Sequence, residues 1–286
     1  MKPRLLLLLT SALALATWHA QNTPEGPGSD WNKDGHTLQV PLLERPPLID
    51  GDLDDWKHRA FSDGLWDIFR VARSPWYDEG RNRLTDHGRE PALEDDLRAR
   101  YYIAWDSKYL YFGADVIDNV NDTSDPAHEP RRWYYKDSIC WFIEAPRDSK
   151  TERFGQGDNA FCFVADSRKP PYGAWWRHGT AERSGIEEPL PRPAVDYAIR
   201  PKPSSAGSGD FILEARVEMA ATLGVSDPAW RPPQIGDEYG LQIVHCDPDG
   251  GGYGGHLLVY GTGDNDASWG VMRLTGPAAP PGRKPR

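Results

Sequence analysis

The sequence predicts an all-β protein with little helix, folded as a sandwich or a barrel of about 10 to 11 short strands. The chain of 286 residues contains 12 Trp and 12 Tyr, which strands favour, together with 26 Pro and 28 Gly, which punctuate strands with turns. Several segments alternate polar and apolar residues, as half-buried strands do. Helical periodicity is almost absent, and the single short helix expected is the Ala-rich segment 219–223.

The candidate strands are short apolar or alternating runs bounded by turn residues. Asp106, Ser107 and Lys108 form the expected tight turn between the third and fourth of them. In chain order the predicted strands cover residues 37–43, 66–71, 98–105, 109–117, 138–144, 160–165, 195–200, 211–217, 239–245, 256–260 and 269–274.

The N-terminus predicts export from the cytoplasm. Lys2 and Arg4 precede an apolar run at residues 5–16, which is too short to span a bilayer and typical of a secretion signal. We therefore expect a signal peptide at 1–20, a polar lead-in at 21–36, one domain at 37–275 and a disordered tail at 276–286. The predicted location is secreted or periplasmic, and no later segment predicts a membrane span.

Charge excludes some partners. The chain has 33 Lys and Arg against 43 Asp and Glu, a formal net charge of −10. Nucleic acids and anionic membranes reward basic surfaces, so neither is an expected partner. The surplus carboxylates instead suit a hard cation such as Ca²⁺.

Three cysteines leave two alternatives open. Cys140 and Cys162 lie in two apolar runs that could form neighbouring strands, so they could form a disulfide. Free cysteines are also common in protein cores, and Cys246 leaves the count odd. No metal-binding or catalytic cysteine spacing is present.

Two long segments, residues 74–97 and 167–193, are predicted to be loops, and long loops on a rigid sheet often carry binding sites. The second contains Tyr172, Trp175 and Trp176. A pair of Trp residues in a loop indicates either ligand binding or local packing.

Four blocks resemble the family 9 carbohydrate-binding modules, in order and spacing. The first runs from Ile49 to Trp56 and reads IDGDLDDW. The second, from Ala104 to Tyr111, reads AWDSKYLY and is followed by VID at 116–118. DSICWFIE starts at Asp137, and GLQIVHCD starts at Gly240 and precedes the closing strand at 269–274.

The resemblance implies an antiparallel β-sandwich of the jelly-roll or immunoglobulin-like kind over about residues 40–275. It also implies that a sugar is clamped between two aromatic side chains, without bond cleavage, in association with polysaccharide breakdown and a partner hydrolase. Two departures bear on this site: Cys140 stands where the family has a sugar-contacting Glu, and the segment 261–266 lacks the second clamp aromatic.

The predicted site joins aromatics that can stack on a sugar with polar side chains that can bind its hydroxyls. The carbohydrate-binding candidates are Trp133, Tyr134, Trp175, Trp176, Arg177, Asn159 and Asp247. The candidate ligands for structural Ca²⁺, an ion that also occurs in the resembling family, are Asp50, Asp52, Asp118 and Asp122.

Two other functions are alternatives for an all-β chain of this kind. A haem b-binding electron-transfer module, as in the related DOMON domains, would need axial ligands from Met219, Met272, His178 or His245, none of which lies in a haem motif. A glycoside hydrolase needs two carboxylates about 5–10 Å apart, which any acidic chain can offer, but no segment resembles a hydrolase active site.

Overall fold

The computed structural model describes residues 37–73, 76–78, 83–85, 97–123, 133–148, 155–166, 172–178, 185–202, 209–248, 256–261 and 266–278. The predicted signal peptide and lead-in lie outside the described residues, as does most of the predicted tail. Gly276 and Pro277, which were assigned to that tail, belong instead to the last strand.

The all-β prediction is confirmed, with fifteen named strands in the described part of the chain. They are β1 (Thr37–Leu42), β2 (Leu65–Trp66), β3 (Trp76–Asp78), β4 (Arg83–Thr85), β5 (Leu97–Trp105), β6 (Tyr109–Asp118), β7 (Ser138–Glu144), β8 (Asp158–Val164), β9 (Gly173–His178), β10 (Gly185–Pro189), β11 (Val195–Pro201), β12 (Phe211–Glu218), β13 (Glu238–Cys246), β14 (His256–Leu258) and β15 (Gly270–Pro277). The helical elements are α1 (Ile68–Arg73), α2 (Leu223–Ser226) and the 3₁₀ turns Leu53–Asp55, Lys57–Arg59, Trp133–Tyr135 and Asp266–Ser268.

Three local predictions are wrong. Residues 66–71 form the end of β2 and then α1, because the Asp67 carboxylate accepts hydrogen bonds from the backbone N–H groups of Phe69 and Arg70 and caps the helix. The helix expected at 219–223 begins only at Leu223. The two segments predicted as loops contain β3, β4, β9 and β10, because cross-strand pairing stabilises short strands that carry little pattern of their own.

All strands belong to one mixed sheet that curls into a half-barrel. The order is β10-β9-β8-β7-β13-β15-β1-β5-β6-β12-β11, with β14, β3, β4 and β2 branching from it. Pairing is antiparallel except at β1, which runs parallel to β15 and β5 and joins the two halves of the sheet.

The main core fills the space between the two halves. Ile143, Phe161 and Ile243 from one half and Phe112 and Leu213 from the other belong to the same buried cluster. The side of each strand that faces this core is called here the inner face, and the opposite side the outer face. The Asp106 turn predicted from the sequence is confirmed: its carboxylate accepts hydrogen bonds from the N–H groups of Lys108 and Tyr109, each at 2.7 Å.

The outer face of the β5–β6–β12 half is covered by residues 49–60, called here the covering segment. Trp56 is fully buried against this half, and its indole N–H donates to a carboxylate oxygen of Glu214 at 2.7 Å. The other oxygen of Glu214 accepts hydrogen bonds from the N–H groups of Asp50 and Gly51, each at 2.9 Å. Gly51 has a φ of +84°, a backbone conformation that favours glycine. The spacing from Asp50 and Gly51 to Trp56 places three N–H donors around the one buried carboxylate of Glu214.

Within the described ranges, none of the helices has the length and apolar character that crossing a lipid bilayer requires.

Candidate functional site

Alternation along β7, β8 and β9 sends neighbouring residues to opposite faces of the sheet. Trp175 belongs to the main core on the inner face. Trp176, the next residue, packs against a second cluster on the outer face. The two Trp residues that the sequence analysis treated as a pair therefore lie on different sides of one strand.

Three half-buried aromatic side chains share the outer face of this half: Tyr134, Tyr172 and Trp176. We call them the outer aromatic face. All three pack against one buried cluster, whose members are Trp133, Cys140, Phe142, Ala160, Cys162, Val164, Ala174, Val244, Cys246, Leu258 and Trp269. Because they keep part of their rings exposed over an apolar floor, a flat ligand can contact them without unfolding the sheet.

The disulfide between Cys140 and Cys162 lies in this floor, between paired positions of β7 and β8. The structure thus decides between the two alternatives for these cysteines. Cys246 is a buried free thiol on the same face, and burial raises its pKa. The position where the resembling family has a polar Glu is consequently apolar and covalently fixed.

Trp133 is buried and supports Tyr134. Its ring stacks against His256 with centroids 6.2 Å apart and meets the Tyr134 ring edge-on at 5.3 Å. Burial lowers the pKa of His256 to about 4, so its imidazole is neutral at physiological pH. Trp133 therefore positions Tyr134, whose own ring stays partly exposed.

Three predicted site residues lie on the inner face instead. The Trp175 ring stacks on Phe161, and its indole N–H donates to Asn159 Oδ1 at 3.0 Å. Arg177 lies over the Trp175 ring and forms an ion pair with Glu188 at 3.1 Å. The structure therefore does not bring Trp175, Asn159 and Arg177 together with Trp176 and Tyr134.

Tyr172 was recognised in the sequence as an aromatic of the predicted loop, but it was not included among the site residues. The signal that identifies it is the two-residue period of Tyr172, Ala174 and Trp176, which places Ala174 and Trp176 on one face of β9 and Tyr172 in register just before the strand begins. The prediction of a loop at residues 167–193 makes no use of this period, because a loop has no regular faces.

The four predicted calcium ligands are also not brought together. Asp50 accepts the N–H of Asp52, and Asp52 in turn caps the turn at Asp54 and forms an ion pair with Arg200, so both serve the covering segment. These interactions lower the pKa of Asp52, mainly through the hydrogen bond from the Asp54 N–H.

Two buried groups of three carboxylates lie instead at opposite ends of β7. Asp118 joins Asp137 and Asp247, the last of which was a predicted sugar contact. Asp122 is not a member of this group; its backbone N–H donates a hydrogen bond to the carboxylate of Asp137. The second group consists of Glu144, Asp158 and Asp266. In each group, one oxygen from each residue lies within 4.8 Å of those of the other two.

Three of the four candidate haem ligands, His245, Met219 and Met272, are buried in the protein interior. The ring of His245 is buried, with Nδ1 2.8 Å from the Tyr101 hydroxyl, and burial lowers its pKa to about 3. Met219 and Met272 are buried in the main core. These contacts account for the three side chains by packing and hydrogen bonding.

Comparison with known proteins finds one matching family. The sequence profile of the family described as Carbohydrate family 9 binding domain-like matches residues 82–276. No curated protein matches the chain.

Similar folds occur among solved structures. A carbohydrate binding module family 9 from Caldicellulosiruptor kristjanssonii, in complex with cellotriose, is 15% identical with a TM-score of 0.51, over 84% of this chain and 94% of that one. A structure of a family 9 module from the same organism, in complex with glucose, is 14% identical with a TM-score of 0.51, over 86% of this chain and 100% of that one.

Proposed function

The chain belongs to the Carbohydrate family 9 binding domain-like family, and from that premise we propose that it binds a saccharide on its outer aromatic face without cleaving it. The observation that carries the proposal is the grouping of Tyr134, Tyr172 and Trp176, half-buried, on one face over a rigid apolar floor. In this arrangement the rings are held in place before a ligand arrives, so binding costs little side-chain entropy.

Stacking explains how such a face would select a sugar. The C–H face of a pyranose is apolar and packs on an aromatic ring, and the ring excludes water from the hydrogen bonds beside it. The family 9 structures with cellotriose and glucose support a glucose-based ligand for this chain. Cys140 stands where the family has a Glu, and it is bound in a disulfide, so the floor at this position is apolar. This supports a ligand contact that relies on ring stacking more than on a charged side chain.

We extend the proposal to location and partners. A buried disulfide persists where the surroundings are oxidising, which supports the secreted or periplasmic location expected from residues 1–20. Binding without cleavage supports a role beside a partner hydrolase that breaks the bound polysaccharide. Asp247 stays a predicted polar contact, although the structure buries it.

The direct test is a glycan array followed by calorimetric titration with glucose, cellotriose and xylo-oligosaccharides. We expect binding of at least one glycan at up to millimolar concentration. Trp176→Ala should weaken it by at least about tenfold, equivalent to about 1.4 kcal/mol, because the exposed stacking ring is lost. Phe69→Ala is the matched control, since Phe69 is an exposed aromatic on α1, outside this face.

Three results would each overturn part or all of the proposal. Absence of binding to every glycan at millimolar concentration rejects the carbohydrate ligand. Release of reducing sugar from xylan or β-glucan by the purified chain rejects the non-catalytic role. Equal loss of affinity in Trp176→Ala and Phe69→Ala would place the site elsewhere on the molecule.

A further inference from the structure

Glu187 of β10 lies next to Trp176 of β9. The two strands are antiparallel, and Glu187 is directly opposite Trp176 in their register. Directly opposed residues of antiparallel strands point to the same face, with their Cβ atoms about 4.5–5.5 Å apart. Because Trp176 packs on the outer face, Glu187 also lies on that face, where it is exposed.

The register extends this pair into a row across four strands. Phe142 of β7 is opposite Ala160 of β8, and Ala160 is opposite Trp176. Phe142 and Ala160 belong to the buried floor, Trp176 is half-buried, and Glu187 lies exposed on the strand that ends the sheet in the described part of the chain. A flat ligand that lies on the Trp176 ring is therefore within reach of the Glu187 carboxylate.

The carboxylates on this part of the outer face have no basic neighbours on the same strands. The register places on the outer face residues 138, 140, 142 and 144 of β7, 158, 160, 162 and 164 of β8, 174, 176 and 178 of β9, and 185, 187 and 189 of β10. None of these residues is Lys or Arg, and the acidic ones are Glu144, Asp158 and Glu187. Glu144 and Asp158 are 0% and 1% exposed, so Glu187 supplies the accessible carboxylate among these positions.

The position of Cys140 makes this carboxylate relevant to a ligand. In the resembling family a Glu at that position contacts the sugar, whereas here Cys140 is bound to Cys162 in the apolar floor. Glu187 provides a carboxylate on the same face from a different strand. An ionised carboxylate accepts hydrogen bonds through two oxygens, so it can bind two hydroxyl groups of one sugar.

We propose that Glu187 determines the specificity of the outer aromatic face: its carboxylate accepts hydrogen bonds from the hydroxyl groups of a saccharide stacked on Trp176 and repels saccharides that carry acidic groups. The inference rests on the proposed carbohydrate-binding function and narrows its ligand to saccharides without carboxylate or sulfate groups. Like charges brought together in an interface lower affinity, and such repulsion is a common source of specificity.

A charged residue on the last strand of a sheet also has a structural role, because it prevents the addition of a further strand. Glu188, the next residue, fulfils that role equally well, but it faces the other way. It is opposite Trp175 and forms an ion pair with Arg177 at 3.1 Å. Glu188 therefore offers a matched control, with the same charge on the same strand and the opposite face.

The experiment compares two ligands that differ in charge on the same sugar backbone. The full chain is titrated calorimetrically at pH 7 with cellotriose and with cellotriose whose C6 hydroxymethyl groups are oxidised to carboxylates, at low and at high NaCl concentration. We expect the oxidised ligand to bind at least about tenfold more weakly at low salt. High salt should reduce this difference, because it screens the repulsion at an exposed carboxylate.

Two variants assign the effect to one side chain. Glu187→Gln keeps the size of the side chain and removes its charge, so it should weaken cellotriose binding by about three- to tenfold and reduce the preference for the uncharged ligand. Glu188→Gln should change neither. The Tm of Glu187→Gln should equal that of the wild type, since the side chain is exposed.

The outcomes separate this inference from the proposal on which it rests. If the wild type binds no glycan, both are overturned. If the wild type binds cellotriose but Glu187→Gln keeps the same affinity and preference, the carbohydrate-binding function stands and the role of Glu187 is overturned. Equal effects of Glu187→Gln and Glu188→Gln, or reduced solubility of Glu187→Gln without loss of affinity, would also overturn that role.

Discussion

The two outer faces of the curled sheet carry similar residues but differ in how far the chain itself covers them. On the β5–β6–β12 half, the covering segment lies over the face, and Trp56 is fully buried with its indole N–H on Glu214. On the β7–β8–β9 half, Trp176 keeps part of its ring exposed beside Tyr134 and Tyr172. Where a face is covered by its own chain, an aromatic stabilises the fold; where it is left partly open, an aromatic is available to a ligand.

The polar groups of the two faces follow the same division. Glu214 accepts three hydrogen bonds from N–H donors of the covering segment, which compensate for its burial. Asp158 accepts one hydrogen bond and faces two further carboxylates. The covered face is therefore closed by contacts within the chain, whereas the open face keeps three aromatic side chains only half buried.

Trp56→Ala should produce the largest effect, a loss of about 3–5 kcal/mol in the free energy of unfolding, because a fully buried ring is removed from the covered face. Urea unfolding measures this loss. Trp56→Phe keeps most of the volume and removes only the hydrogen bond to Glu214, so it should cost less, about 1–3 kcal/mol. Equal losses in the two variants would show that the hydrogen bond, rather than packing, secures the covering segment.

Cys140→Ser combined with Cys162→Ser should lower the free energy of unfolding by about 3 kcal/mol, because the disulfide closes a loop with a sequence separation of 22. The same loss should follow when the wild type is unfolded in the presence of a reductant. Cys246→Ala is the control, because it removes the free thiol and keeps the disulfide. The free energy of unfolding of this variant should still fall when a reductant is added. If a reductant left the free energy of unfolding of the wild type unchanged, the disulfide would not stabilise the open face and the prediction would be wrong.

Trp176→Ala should separate the two faces most sharply. It is expected to reduce the free energy of unfolding by less than about 1.5 kcal/mol, since its ring is only half buried, while saccharide affinity falls as described above. Trp56→Ala should do the opposite, with unchanged affinity in whatever fraction remains folded. Comparable destabilisation by Trp176→Ala and Trp56→Ala would show that both faces are structural.

The pH dependence of Glu214 tests the covered face without removing a buried ring. Burial raises its pKa to about 7 from an ordinary value of 4.5, against the opposing influence of its three N–H donors. The folded chain therefore holds this proton more tightly than the unfolded chain, so the contribution to stability is full below pH 4.5 and is lost as pH rises through 7. Tm should fall by a few degrees more over this range in the wild type than in Glu214→Gln. Parallel pH profiles of the two proteins would contradict the assignment.

The all-β fold and most of its strands could be predicted because alternation and turn residues are local signals. Errors arose where tertiary contacts dominate: Trp66 precedes a capped helix rather than a longer strand, and β9 was hidden in a presumed loop. The predicted site residues are divided between the two faces of the sheet. Tyr134 and Trp176 lie on the outer aromatic face, but Trp175, Asn159 and Arg177 lie on the inner face, because spacing in a loop carries no information about which side a residue takes.

The sequence by itself determined that short strands must form, that the Asp106 turn joins β5 and β6, and that the Ile49-to-Trp56 block resembles a family opening. These properties reside in neighbouring residues. Only the tertiary structure decided that the block secures Glu214, that Cys140 reaches Cys162, and which carboxylates meet. Glu144, Asp158 and Asp266 are separated along the chain, and only strand pairing and the curl of the sheet bring one oxygen of each within 4.8 Å of the other two.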